Sequence, residues 1–254
     1  MKSLLRIPLF LIGSFILVSV IQAQEAKKIL TLDDYPLWSS IVSTSISDDG
    51  SWISFAYRPN GGDDTLYFKN LNTGDTYSAK YSDRPVFSSN SKWAAYRKNP
   101  KKKDEEKLRK AKKPVTRKGV LLDLASGKET SWDKVSSISF SPNGDYVLVK
   151  KTGSGNAKRG SDLLLKNLGT GTTMNIGNVN QYKFNSRGTM LAYTVDASDD
   201  DGNGVYIMDV AEGRVQVLDT DTLSYSQLTW DDENLYRKEW NKKGTGNGRA
   251  NEVK

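Results

Sequence analysis

The 254-residue chain contains no cysteine and no histidine. Without cysteine there is no disulfide, no thiol nucleophile and no thiolate ligand, so the fold must rest on its core. Without histidine there is no imidazole to take and return a proton near neutral pH, which excludes a Ser-His-Asp triad and any Cys-His pair. A zinc site with neither residue would be out of pattern. The strand-to-helix elbow Gly-x-Ser-x-Gly is absent as well. No P-loop occurs: the glycine-rich "GSGNAKRGSD" lacks the Gly-Lys-Ser/Thr ending and lies between strands. Long apolar runs are scarce. The one present, Ile7 to Ile21, follows Lys2 and Arg6 and precedes Gln22-Ala23. That order is the layout of a secretory signal peptide over residues 1–23, cleaved after Ala23, and it implies a periplasmic or secreted protein.

Positive charge is also scarce outside one place. The net charge is +7. The stretch from Lys101 to Lys118 holds ten Lys or Arg against three acids, and the signal segment adds two more cations. The remainder is slightly acidic, so the basicity is local and gives no nucleic-acid signature.

What the chain has in abundance is a repeated phrase. An apolar anchor, a polar turn and an alternating strand recur as "TSISDDGSWISF", "PVFSSNSKWAAY", "ISFSPNGDYVLV", "YKFNSRGTMLAY" and "LTWDDENLYRKE". The anchors Ile46, Phe87, Phe140, Phe184 and Trp230 are 41, 53, 44 and 46 residues apart. A second series interleaves with it, strands ending at the turn glycines Gly74, Gly127, Gly171 and Gly213, spaced 53, 44 and 42. Turn chemistry at both sites comes from Asp, Asn, Ser, Pro and Gly. Two phase-locked series, with about four strands per ~40–45-residue unit, predict an all-β chain folded as a β-propeller. The expected architecture is an incomplete arc of about four to five four-stranded blades over 45–234. A cap segment at 24–44 precedes it, with Leu32, Tyr35, Leu37 and Trp38 lying on a blade. A charged, helix-forming insertion occupies 99–118, and a polar tail follows at 235–254.

No residue stands out as catalytic, cofactor-binding or metal-ligating. Asp196 to Gly204 superficially resembles a calcium loop. With Gly202 as its sixth position, however, Ala197 and Met208 fall where carboxylates are needed, so it reads as a hairpin. Asp48/Asp49 and Asp231/Asp232 sit at repeat turns and serve turn geometry. Trp52, Trp93, Tyr146 and Met190 each fall just past the turn and are expected to pack between blades. The lysine-rich insertion reads as a solvated excursion, with a docking arm for an acidic surface as the functional alternative.

The ordered phrases "LDDYPLWSSI", "SISDDGSWISFAY", "FSSNSKWAAY", the Lys/Glu-rich excursion, "SFSPNGDYVLV", "NGVYIMDV" and "YSQLTWDDE" resemble the amino-terminal part of exported bacterial peptidases of the prolyl oligopeptidase family. The resemblance spans roughly residues 28 to 234. It implies a propeller that caps and gates a separate α/β-hydrolase domain holding the catalytic serine, aspartate and histidine. None of those positions exists here, so this chain alone is expected to be inactive, and the text after Asn234 reads as an early end to the blade pattern. The implied partners are a hydrolase domain or a peptide substrate, with no cofactor, no nucleic acid and no membrane contact after signal cleavage. Open blade edges are expected to favour self-association. The alternative is a periplasmic protein-binding propeller of Tol-system or WD-repeat type, although the Gly-His element of WD repeats cannot occur without histidine. A glycan-active or calcium-dependent enzyme has no motif in its favour.

Overall fold

The structure, a computed structural model, describes residues 29–153, 160–198, 202–222, 224–230 and 236–238. The expected signal segment lies outside the described residues, as does most of the polar tail.

Every strand pairing is antiparallel and nearly every neighbour in sequence is a neighbour in space. Blade 1 is β1 (Ser39–Ile46), β2 (Trp52–Pro59), β3 (Thr65–Asn70) and β4 (Thr76–Lys80). Blade 2 is β5 (Ser82–Phe87), β6 (Trp93–Lys98), β7 (Lys118–Asp123) and β8 (Glu129–Trp132). The third and fourth units form one seven-stranded sheet: β9 (Val135–Phe140), β10 (Tyr146–Lys151), β11 (Ser161–Asn167), β12 (Thr173–Phe184), β13 (Met190–Val195), β14 (Gly204–Asp209) and β15 (Arg214–Thr220). The sequence predicts two four-stranded blades there. They share β12, whose first half is the outer strand of blade 3 and whose second half is the inner strand of blade 4. The strand bends between them, with Asn178 at φ 53° and a register shift between Val179 and Tyr182. A fifth unit contributes β16 (Leu228–Trp230) and β17 (Tyr236–Lys238), paired to each other.

The blades stack face to face through three apolar layers. Trp52, Ala56, Leu66 and Phe68 of blade 1 meet Ala94, Tyr96, Val120 and Leu122 of blade 2. Leu121 and Trp93 of blade 2 meet Val147 and Val149 of blade 3. Tyr146, Leu148 and Leu163 meet Leu191, Tyr193 and Met208 of blade 4. Because side chains alternate across a strand, each central strand is apolar on both faces and so reads as a near-continuous hydrophobic run. Of the positions just past the turn, Trp52 stacks on Tyr77 of its own blade with ring centroids 5.6 Å apart and lies in the layer against blade 2, while the buried Tyr146 of blade 3 donates its hydroxyl to the Val210 carbonyl of blade 4 at 3.0 Å. Both aromatics take part in inter-blade packing.

The segment before blade 1 differs from expectation. A 3-10 helix spans Leu32–Leu37, and β1 then begins at Ser39, inside the segment assigned to the cap. Pro36 approaches Gly61 in the β2–β3 hairpin, and Asn60 donates to the Tyr35 carbonyl. Leu32 and Leu37 face solvent, 92% and 73% exposed. The helix is held by backbone contacts at the rim and leaves its leucines uncovered.

Candidate functional site

The two ends of the arc are built differently. At one end the first-to-second strand turns span residues 47–51, 88–92, 141–145 and 185–189, and the third-to-fourth turns span 71–75, 124–128, 168–172 and 210–213. All are five residues long except the last, which has four. At the other end the second-to-third loops, 60–64, 99–117, 152–160 and 196–203, run to five, nineteen, nine and eight residues. Constant turns are structural, and length variation concentrates where a scaffold carries its specificity.

The constant end is locked by a repeated polar device. Ser47, Ser88, Ser141 and Asn185, each next after the apolar anchor, are buried. Their side chains accept the N–H of Trp52, Trp93, Tyr146 and Met190 at 2.9–3.1 Å. The three serine hydroxyls donate to Asp49, Asn90 and Asn143 two residues on, at 2.6–2.8 Å. Successive turns then touch. Asn90 donates to the Gly144 carbonyl at 3.0 Å and Ser89 to the Pro142 carbonyl at 2.7 Å. Asp49, one of the carboxylates singled out in the sequence, is held down at about 2 by the Ser47 hydroxyl and by the N–H and hydroxyl of Ser51. It is a turn acceptor, with no second carboxylate arranged against it for acid–base work. Asp231 and Asp232 lie outside the described residues, as does the centre of the Asp196–Gly204 loop.

The variable end carries the charge. Helix α1 (Lys102–Lys110) rises from the nineteen-residue loop and returns to blades 1 and 2 through ions. The Lys102 N–H reaches Asp63 at 2.7 Å, and the Lys102 ammonium stands 3.4 Å from Asp64 and also donates to the Gly62 carbonyl. Glu105 takes both Arg109 (2.6 Å) and Arg117 (3.1 Å). Below the helix a cleft of about 320 Å³ is lined by Arg58, Asp64, Asp83, Arg97, Glu105 and Arg117 among others. Arg58 pairs with Asp64 at 2.7 Å, which raises the guanidinium's pKa, and Arg97 holds Asp83 through two bonds of 2.8 and 2.7 Å. Asn99, Pro100 and Arg117 also border a second opening of about 510 Å³, which reaches Asp133 and Lys134. Guanidinium groups stay protonated and their carboxylates are already paired. The cleft can orient and exclude by charge and shape. Sequence reading missed it because its ions come from two blades and an insertion, and each looks like an ordinary surface charge on its own strand.

No family model matches this sequence, and no curated protein matches it either. Solved structures do. The β-propeller domain of the Trilobed protease from Pyrococcus furiosus, described as having an open velcro topology, superposes with TM-score 0.50 at 11% identity, over 81% of this chain and 66% of that one. The chain is an open β-propeller arc. A prolyl endopeptidase structure matches with TM-score 0.51 and 16% identity, over 80% of this chain. The arc spans about a third (32%) of that enzyme's length. TolB from Acinetobacter baumannii also matches, at TM-score 0.38 and 15% identity, over 79% of this chain and 49% of its own. At these identities the likeness to the Trilobed protease domain and the prolyl endopeptidase establishes the propeller fold, and function must be argued from residues.

Proposed function

We propose that the chain is the non-catalytic, substrate-gating propeller portion of a secreted serine peptidase of the prolyl oligopeptidase kind. One observation carries this. Three of the phrases that resemble that family, "SISDDGSWISFAY", "FSSNSKWAAY" and "SFSPNGDYVLV", fall in order on the first-to-second strand pairs of blades 1, 2 and 3, and the lysine-rich excursion occupies the long loop of blade 2. The signal-like residues 1–23 support export. The lack of any histidine leaves a serine without its usual base, so bond cleavage belongs to a separate hydrolase domain. The propeller's part is steric and electrostatic: its variable loops and paired-ion cleft border the way in, admitting short flexible peptides and excluding folded chains.

Two measurements test it. The purified chain should not turn over a short proline-containing peptide; turnover that survives repurification overturns the inactive assignment. DNA following the Lys254 codon should encode further blade phrases and a Gly-x-Ser-x-Gly elbow. A locus with neither would overturn the peptidase reading and leave a protein-binding propeller.

A further inference from the structure

Charge balances differently in the two openings at the variable end. In the cleft under α1, Arg58, Arg97, Lys102 and Arg117 stand among four carboxylates, and each is held in an ion pair. The second opening, of about 510 Å³, has Lys98, Arg117, Lys118 and Lys134 on its walls and one carboxylate, Asp133. Arg117 is engaged by Glu105, and Lys118 by Asp133 at 3.0 Å. Lys98 and Lys134 have no ion pair among the described residues.

The strands sharpen this imbalance. Lys98 ends β6, Lys118 begins β7, and the two stand directly opposite in the antiparallel register, the last pair before the long loop of blade 2. Like charges so placed disfavour the pairing of their strands. Lys98 is also partly buried, which leaves its ammonium less screened than one in open water. Lys134 comes from the link between blades 2 and 3. Lys151 of blade 3 brings another cation to that link, its ammonium donating to the Asp133 carbonyl at 2.6 Å. The Arg117 Nε donates to the Asn99 amide oxygen at 3.0 Å, so the amide's own N–H groups remain as donors. The opening is therefore rich in donors and cations and poor in acceptors. It also shares Asn99, Pro100 and Arg117 with the cleft, so the two form one continuous track.

We propose that this cationic mouth binds the carboxylate groups of an acidic peptide at the seam between blades 2 and 3. Its volume lies in the range that accommodates a small organic ligand and far exceeds what one oxyanion fills. Its ammonium groups sit on long stems spread around the walls, an arrangement that meets several separated carboxylates better than one compact anion. That a peptide carries those carboxylates rests on the gating reading above; the surplus of cations stands without it.

Calorimetric titration of the purified chain with a short glutamate-rich peptide tests this. Wild type should bind the peptide more tightly than it binds inorganic phosphate, and more tightly than it binds the same peptide with glutamine in place of glutamate. Lys98→Glu puts opposite charges across β6 and β7, so the urea midpoint should hold or rise while affinity for the acidic peptide falls about tenfold. Should that variant fold poorly, Lys134→Asn carries the same test, because asparagine suits the positive φ of 54° at that position. Lys110→Glu on α1, which lines neither opening, should leave binding within about twofold of wild type. The proposal is overturned if the acidic peptide does not bind, if phosphate or the glutamine peptide binds equally well, if Lys98→Glu and Lys134→Asn leave affinity unchanged, or if Lys110→Glu costs as much as they do. None of these results bears on whether a hydrolase domain follows, which the downstream DNA decides separately.

Discussion

Two buried serines that look alike should respond oppositely to the same substitution. Ser88 and Ser54 are each at most 2% exposed, and replacing either by alanine deletes one hydroxyl. The Ser88 hydroxyl accepts the Trp93 N–H at 3.0 Å and donates to Asn90 at 2.8 Å. Asn90 in turn reaches across to the Gly144 carbonyl of blade 3. Ser88→Ala therefore strands a buried N–H and loosens a contact between blades, at about 1–3 kcal/mol. The Ser54 hydroxyl, in the layer between blades 1 and 2, has no hydrogen-bond partner among the described residues. Burying an unpaired hydroxyl costs about 1–3 kcal/mol in proteins, so Ser54→Ala recovers part of that, about 1 kcal/mol once the small void is counted. Urea denaturation followed by circular dichroism reads both. With a slope of about 2 kcal/mol/M, the midpoint should fall by about 1 M for Ser88→Ala and rise by about 0.5 M for Ser54→Ala. Midpoints moving in the same direction would refute the claim that hydrogen-bond satisfaction, and not burial, sets the role of these hydroxyls.

Two further outcomes follow from the charges. Burial in the strand face toward blade 4 pushes the Lys150 ammonium down to about 8, partly offset by Asp162, and its protons are directed at the Ser161 and Val179 carbonyls. Below pH 8 both folded and unfolded chains carry that proton. Between 8 and the ordinary 10.5 the unfolded chain keeps it after the folded one has lost it, so this residue's contribution to stability rises with pH across that window. Wild type should gain on Lys150→Met in denaturation midpoint from pH 8 to 10.5; a difference independent of pH contradicts the burial. Glu105→Ala removes the shared acceptor of Arg109 and Arg117, so amide exchange over α1 should accelerate several-fold while the blade midpoint shifts by no more than about 0.5 kcal/mol. A large loss of blade stability would mean that the helix braces the arc and does not merely sit on it.

The blade pattern was legible because its turns are solved locally. Each first-to-second strand turn is closed by its own Ser47, Ser88, Ser141 or Asn185, and in the three serine turns by a residue two positions on, so sequence and structure share one period. The connections between blades left no such mark. Tyr81, Lys134 and Asn178 link successive blades at positive φ, 62°, 54° and 53°, each six residues before the next anchor, yet none is glycine. Their carbonyls accept the N–H of Asn99, Thr152 and Asp196, the first residues of the variable loops. That conformation is imposed by the change of direction between sheets and held by those bonds, so side-chain identity says little about it. The cap differs for a related reason. Apolar Leu32 and Leu37 suggest a segment lying on a blade, but the helix is anchored through Pro36 against Gly61 and the Asn60 side chain on the Tyr35 carbonyl, which hydropathy does not register.

The sequence by itself determined the repeat and its phase, because these depend on residue identity and short-range spacing. Tertiary structure alone decided which faces are covered. Ile53 and Phe55 hold the same strand positions as residues that are buried in every later blade, and the turn glycines Gly50 and Gly144 hold equivalent places. What separates them is whether a neighbouring sheet stands against them, and a strand carries no record of that. The ion pairs of the cleft were settled the same way, by distance in space between charges far apart along the chain.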